Sequence, residues 1–223
     1  VEAGWPDAWH TVEVKCIPYD PRDVARREQL VETVISQIRD AGVGERVLVH
    51  SFDWAVLESA ARLDPALRRS ALATFGETFV PGSAFLGSIR YEDFAGDLPG
   101  AAAAVGADVV APAYARVYGT SVADPGFELA CDREFVTRAH GLGLAVLPWT
   151  VNAAADIRAV IGAGVDGFVT DYPDVAVALA AGAAEAIEAI EAIGAIGAPE
   201  AIEATGAVDS AQTAEPVQER GES

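Results

Sequence analysis

The chain has 223 residues, of which 51% are hydrophobic, which is enough for one sizeable domain with a buried core. Its formal net charge of −19 predicts that neither nucleic acid nor an anionic membrane surface is a partner. No run of 18 apolar residues occurs, so we expect no membrane-spanning helix. The chain starts at Val1, without targeting character, and we expect a cytoplasmic location. A trimmed start, a lost signal peptide and a fragment of a longer chain all stay open.

Short apolar, β-branched runs alternate with helical stretches along most of the chain. The predicted strands are residues 11–17, 46–52, 68–75, 107–114, 144–151 and 165–171. The predicted helices are residues 21–42, 53–63, 132–143, 152–164 and 173–182, with a less regular Gly-rich segment at 76–100. This alternation predicts an α/β fold with a parallel sheet, for which a doubly wound sheet and a (β/α)₈ barrel both fit. No GxGxxG motif follows the first strand, so nucleotide binding has no direct support.

Three polar residues stand where predicted helices begin. Asp53, Asp132 and Asn152 each precede a helical stretch and are candidate N-caps. Pro21 suits the first turn of the first helix, and Gly42 suits its C-terminal end.

The C-terminal part differs in kind from the rest. We assign residues 1–182 to the α/β domain and residues 183–223 to an acidic, low-complexity tail. Ile recurs every three residues in part of this tail, and that spacing drifts off any single helix face. We expect it to be partly helical and partly disordered.

Two charged residues lie on one predicted strand. Lys15 is the only lysine in the chain, and Glu13 lies two residues before it, so both side chains project from the same face. A carboxylate there can bind a hard divalent cation, and an ammonium beside it can meet a phosphate oxygen. An ion pair between the two, or an exposed sheet edge, explains the same pattern and stays open.

Polar and aromatic residues also fall near the ends of other predicted strands. His50, Ser51 and Asp53 have the composition of a catalytic triad, but neighbouring residues on a strand point to opposite faces, so we expect no triad. Trp149 lies at the end of the strand 144–151, where it can form the wall of a pocket.

Four segments, taken in order, resemble the glycerophosphodiester phosphodiesterase family. They are Glu-Val-Lys at 13–15, His-Ser-Phe-Asp at 50–53, Pro-Trp-Thr-Val-Asn at 148–152 and Gly-Val-Asp-Gly-Phe-Val-Thr-Asp-Tyr-Pro at 164–173. The resemblance runs from about residue 11 to residue 181, and the last two segments are its most specific part.

The resemblance implies a (β/α)₈ TIM-type barrel and a hydrolase of lipid metabolism. Family members hydrolyse glycerophosphodiesters to sn-glycerol 3-phosphate and an alcohol, generally with a divalent metal such as Ca²⁺ or Mg²⁺. By resemblance, Glu13 is a metal ligand, Lys15 approaches the phosphate of a small phosphodiester substrate, and Trp149 forms a wall of the substrate pocket.

The sequence departs from the family pattern at its N-terminal side. The family begins with a His-Arg-Gly strand, a strand with a metal-binding Glu and Asp, and a His-Asp segment, and the chain matches none of them. We therefore expect an incomplete barrel that lacks the first two strands and self-associates through open edges. A catalytically inactive truncated barrel and an unrelated phosphate-binding barrel are the alternatives.

Overall fold

A computed structural model describes residues 8–180 of the chain, so the predicted tail at 183–223 lies outside the described residues. Five parallel strands form one sheet in chain order. They are β1 (His10–Glu13), β2 (Val47–Ser51), β3 (Arg68–Ala73), β4 (Val109–Pro112) and β5 (Ala145–Val146). The α/β fold with a parallel sheet is confirmed. Among the described residues the sheet is open, and the TIM-type barrel that lacks its first two strands stays a prediction.

The segment 165–171, predicted as a sixth strand, forms no regular strand. It nevertheless runs beside the chain that follows β5, since the amide of Val169 donates to the carbonyl of Pro148 and the amide of Val151 donates to the carbonyl of Val169. Gly167 packs against Leu147 so closely that a β-carbon there would meet the Leu147 side chain at 2.9 Å. A glycine at this close approach weakens a regular strand.

Six α-helices connect and follow the strands of the described chain, besides three short 3-10 helices at Gly44–Arg46, Ala84–Leu86 and Tyr91–Asp93. They are α1 (Pro21–Asp40), α2 (Trp54–Leu63), α3 (Leu98–Ala104), α4 (Arg133–Gly141), α5 (Ala154–Ala163) and α6 (Pro173–Ala180). The predicted caps Asp53 and Asp132 are confirmed, because their carboxylates accept backbone amides of α2 and α4. The predicted cap Asn152 is wrong: Ala153 precedes α5 and gives it no side-chain cap.

Two further differences from the sequence predictions bear on the site. Helix α3 lies at the end of the segment expected to be irregular and extends just beyond it, and Asp97 caps it through the amide of Gly100. The first strand ends at Glu13 rather than at residue 17. Lys15 therefore lies in the loop that follows the strand, at the carboxyl edge of the sheet.

The two faces of the sheet have different environments. On one face, Val12, Val49, Ala71 and Val110 join the hydrophobic core together with residues of the helices. On the other face, the register aligns Glu13 with His50, and His50 with Ser70. This second face carries the polar side chains and lines a cavity of about 710 Å³, so the sheet itself sets the position of the candidate site.

Candidate functional site

Glu13 and Lys15 lie side by side at the carboxyl end of β1. Their carboxylate and ammonium are 3.5 Å apart, and the two side chains are 34% and 78% exposed respectively. The ion pair that the sequence left open as an explanation therefore exists. Its high exposure leaves both groups accessible to a ligand in the solvent-facing cavities beside them.

Trp149 lies beyond β5 with its ring held by the neighbouring strand. Its indole Nε1 donates to the carbonyl of Ala111 at 2.7 Å, and its backbone amide donates to the carbonyl of Pro112. The ring meets Phe52 edge to face at a centroid distance of 5.3 Å and Tyr118 at 5.8 Å. These contacts fix the indole as an ordered wall.

The three residues predicted from sequence line the same two cavities. A cavity of about 390 Å³, which we call the aromatic cavity, is lined by Glu13, Lys15, Phe52, Phe85, Tyr118, Trp149 and their neighbours. The larger cavity on the sheet face shares Glu13, Lys15, Phe52 and Trp149 with it. The structure thus brings Glu13, Lys15 and Trp149 together at the carboxyl ends of the strands, where parallel α/β proteins bind ligands.

His50, Ser51 and Asp53 point to different parts of the molecule, so the prediction that they form no triad is confirmed. His50 Nδ1 lies 2.7 Å from the hydroxyl of Ser70 on the cavity side. Ser51 instead donates to the carbonyl of Val14, and the fully buried Asp53 accepts Arg27 Nε at 2.7 Å. Burial lowers the pKa of His50 to about 4, because the low-dielectric surroundings disfavour the imidazolium.

Asn152 joins the two most specific segments of the sequence. Its side-chain amide donates to the Asp171 carboxylate at 2.9 Å, and its carbonyl oxygen accepts the Asp171 backbone amide and the Thr170 hydroxyl. The residue predicted as a helix cap therefore links the segment after β5 to the segment before α6 through hydrogen bonds. These hydrogen bonds lie next to the cavity that Thr170 and Trp149 line.

The loop 113–132 was not recognised from the sequence as part of the site. Tyr114 donates its hydroxyl to the buried carboxylate of Asp156, which also accepts the backbone amide of Val122. Burial and the adjacent Asp156 raise the pKa of Tyr114 well above its usual range. These bonds secure the loop that places Tyr118 against Trp149. Sequence offers no signal for this contact, because the two residues are far apart along the chain.

The described residues do not by themselves fit a metal ion. Within residues 8–180, no three Asp, Glu, His or Cys side chains come together in an arrangement that could hold one. Glu13 faces the ammonium of Lys15, and Ca²⁺ takes about 6–8 oxygen ligands. The Glu13 carboxylate, next to the Lys15 ammonium, supplies only part of the ligands that such an ion needs.

The other two histidines lie away from the cavities. His10 lies in a shallow depression between β1 and α1, with its Nε2 buried and without a hydrogen-bond partner among the described residues. His140 is on α4, where its Nε2 lies 2.9 Å from the Asp166 carboxylate. The described residues thus present no pair of histidines to the cavity side of the sheet.

A sequence model of the glycerophosphoryl diester phosphodiesterase family matches residues 2–175. The chain belongs to this family. YqiK, an uncharacterized protein of Bacillus subtilis (strain 168), is 28% identical over 156 residues, which are 70% of this chain and 52% of YqiK. The chain thus spans about half the length of this curated relative.

Solved structures of the family have the same fold. A Silicibacter pomeroyi protein assigned as a glycerophosphoryl diester phosphodiesterase is 32% identical, with a TM-score of 0.58 over 75% of this chain and 48% of that one. A match to a glycerophosphodiester phosphodiesterase from Parabacteroides distasonis, at 16% identity and a TM-score of 0.52, covers 76% of this chain and 55% of that protein.

Among residues 8–180, no helix is both long and apolar enough to cross a membrane.

Proposed function

We propose that this domain supplies one side of a glycerophosphodiester phosphodiesterase site, which releases sn-glycerol 3-phosphate and an alcohol from a small phosphodiester. In this hydrolysis water adds to phosphorus, the bond from phosphorus to the alcohol oxygen breaks, and the alcohol oxygen takes a proton. The observation that carries the proposal is the convergence of Glu13, Lys15 and Trp149 on two adjoining cavities. Membership of the family supports the same reaction.

Lys15 and Trp149 have separate roles in this proposal. Lys15 is highly exposed on a flexible stem, so its ammonium can leave Glu13 and meet a phosphate oxygen. Trp149 is held by Ala111 and presents its ring to both cavities, where it forms a wall against the organic part of the substrate. One residue thus provides charge for the phosphate and the other provides shape.

The metal is part of the proposal, but its site needs donors beyond those described. We assign Glu13 as one ligand of Ca²⁺ or Mg²⁺ and place the remaining ligands outside residues 8–180. Such an ion would supply positive charge to the phosphoryl oxygens. The roles proposed for Lys15 and Trp149 do not depend on this ion.

A second candidate is that the 223-residue chain is catalytically inactive by itself. The placement of the three histidines favours it, since His10 lies outside the cavities, His140 pairs with Asp166 and buried His50 bonds Ser70. General acid–base groups typically contribute about 10²–10⁴-fold to such reactions. We therefore expect little or no turnover by this chain alone.

The open edge of the sheet suggests a partner. Among the described residues β1 pairs with β2 alone, which leaves the other edge of β1 without a strand. Exposed edges favour pairing with another chain. Self-association through this edge is part of the proposal, and the mass of the purified chain in solution, measured by light scattering across concentrations, tests it.

A chimera tests the proposed reaction directly. This chain covers 48% of the Silicibacter pomeroyi protein, so the part of that protein that it does not cover would be fused to this chain. Glycerol 3-phosphate release would then be followed with Ca²⁺, with Mg²⁺ and with a chelator. We expect metal-dependent release by the chimera, its loss in Glu13→Gln, and none by the unfused chain. A folded chimera that releases nothing in any arm would refute the proposal, and release by the unfused chain would refute the second candidate.

A further inference from the structure

His50 presents one ring nitrogen to the larger cavity without a hydrogen-bond partner. The residue is only 6% exposed, and it is one of the side chains that line the cavity of about 710 Å³. Among residues 8–180, His10 Nε2 is the one side-chain nitrogen or oxygen atom that is both fully buried and without a partner. His50 Nε2 also has no partner among these residues, so this atom is open to the cavity.

Ser70 fixes the position of the proton on this ring. The Ser70 residue is fully buried, and its hydroxyl oxygen lies 2.7 Å from His50 Nδ1. The described part of the chain offers this hydroxyl no other acceptor, and a buried donor without an acceptor is costly. The hydroxyl therefore donates to Nδ1, which carries no proton. The proton of the neutral imidazole then lies on Nε2, and this makes Nε2 a donor toward the cavity.

This donor lies one layer of side chains below Lys15 and Phe52. The register aligns His50 with Glu13, whereas Lys15 and Phe52 each come two residues later and also line the larger cavity. Two residues of extended chain span about 6–7 Å. A phosphate that meets the Lys15 ammonium can therefore extend a short organic group along the sheet to His50 Nε2.

The surroundings of His50 Nε2 restrict what it can bind. Leu72, Leu147 and Phe168 line the same cavity with apolar surface. A donor among such side chains stays unsatisfied unless the ligand brings an acceptor oxygen. The cavity already holds the Lys15 ammonium for a charged oxygen, so the neutral N–H suits an uncharged hydroxyl.

We propose that His50 is a specificity-determining residue, whose Nε2–H donates to a hydroxyl oxygen of a phosphate ester bound at Lys15. The site then selects an ester with a hydroxyl a few bonds from its phosphate over the same ester without that hydroxyl. An ester without the hydroxyl leaves Nε2 facing carbon, and an unpaired buried donor is the means by which polar sites reject such analogues. The donor stands on the geometry of His50 and Ser70, whereas the phosphate at Lys15 rests on the proposed function.

Calorimetric titration of the full chain with sn-glycerol 3-phosphate and with n-propyl phosphate tests this inference without turnover. The two esters share the carbon chain and the phosphate, and they differ in the hydroxyls. We expect the parent to bind sn-glycerol 3-phosphate about tenfold more tightly than n-propyl phosphate, because only the first gives His50 Nε2 an acceptor. Equal affinities would overturn the inference. Absence of binding by both esters would overturn it together with the phosphate role of Lys15.

Two substitutions of His50 separate the donor from the fold. His50→Gln has a carbonyl oxygen to accept the Ser70 hydroxyl and an N–H to face the cavity, so it should keep the preference. His50→Leu has no donor, and its preference should fall to about twofold or less, with n-propyl phosphate bound as by the parent. That unchanged binding shows that the variant is folded. A preference that survives in His50→Leu, or that is lost in His50→Gln, would overturn the inference.

The outcomes also separate this inference from the proposed function. Equal binding of both esters by the parent, weakened in Lys15→Met, would reject the role of His50 and support the phosphate role of Lys15. A folded chimera without turnover, together with a preference that only His50→Leu removes, would reject the proposed reaction and support the role of His50.

Discussion

The carboxylate of Glu13 and the ammonium of Lys15 face each other across 3.5 Å, both residues line both cavities, and neither is buried. Exposed ion pairs contribute about 0–1 kcal/mol to stability. The Glu13–Lys15 pair therefore contributes little to the stability of the fold. Its position at the carboxyl end of a parallel sheet suits a ligand instead.

The first prediction is that Glu13→Gln and Lys15→Met leave the fold intact. Each should change the free energy of unfolding by less than about 1 kcal/mol, because the pair is exposed to solvent. Urea denaturation followed by circular dichroism measures this. A loss well above that value in either variant would show that the pair is structural, and would weaken the assignment of both residues to a ligand site.

The second prediction concerns the contact between α1 and the start of α2. Arg27→Ala should destabilise the chain by about 3–5 kcal/mol, because it leaves the Asp53 carboxylate buried without its partner. Arg26→Ala is the matched control one residue away, since Arg26 is mostly exposed and its partner Asp23, although buried, also accepts the backbone amide of Ile17. We expect the control to lose less than about 1 kcal/mol in the same denaturation experiment. Equal losses in the two variants would contradict this account of the buried pair.

The third prediction is a pH dependence that originates at His50. In the unfolded chain the His50 imidazole takes up a proton near the usual histidine pKa of 6.5. In the folded chain burial lowers its pKa to about 4, so the proton binds only at more acidic pH. The unfolded state therefore binds more protons in this window, and stability falls as the pH falls through it. The difference corresponds to about 3 kcal/mol.

His50→Gln isolates this contribution. Glutamine does not titrate and can still hydrogen-bond Ser70, so the variant should lose about 3 kcal/mol less than the unmodified chain between pH 6.5 and pH 4. Thermal or urea unfolding at several pH values gives the comparison. Identical pH profiles for the two proteins would mean that His50 is protonated without cost in the folded state.

The fourth prediction concerns the link between Asn152 and Asp171. Asn152→Ala removes three hydrogen bonds at 2.9–3.2 Å and should cost about 1–2 kcal/mol, with weaker packing of Trp149 at the cavity. Asn152→Asp keeps the two acceptor contacts but places a carboxylate beside Asp171. This second variant should be less stable at neutral pH and recover on acidification. If both variants matched the parent, the link would be incidental.

The sequence predicted the relative positions of Glu13 and Lys15 better than the secondary structure around them. The alternation of side chains along a strand predicts Glu13 and Lys15 on one face. The two side chains do lie side by side in the structure, although the strand ends at Glu13. The sixth strand was wrong because the apolar run at 165–171 includes Gly167, which packs against Leu147 instead of continuing a ladder. The hydrophobic pattern of a segment gives no information about such a contact with another segment.

The aromatic wall was only partly predictable. Trp149 was recognised from its place after a strand, whereas Tyr118 belongs to a long loop whose path depends on Asp156 and Tyr114. The sequence predicts Asn152 as a helix cap because it precedes a helix. In the structure its side chain hydrogen-bonds Thr170 and Asp171 instead. Contacts between distant segments decided each of these cases.

The most direct test of the account is the binding of sn-glycerol 3-phosphate to the purified chain, measured by calorimetry for the parent and for Lys15→Met. The account predicts saturable binding that Lys15→Met weakens about tenfold or more, because a hydrogen bond to a charged group is worth about 1.5–3 kcal/mol. Arg39→Met is the control, since Arg39 pairs with Asp64 near the end of α1, away from both cavities. Binding that is absent in the parent, or equal in all three proteins, would contradict the claim that Lys15 forms a phosphate site.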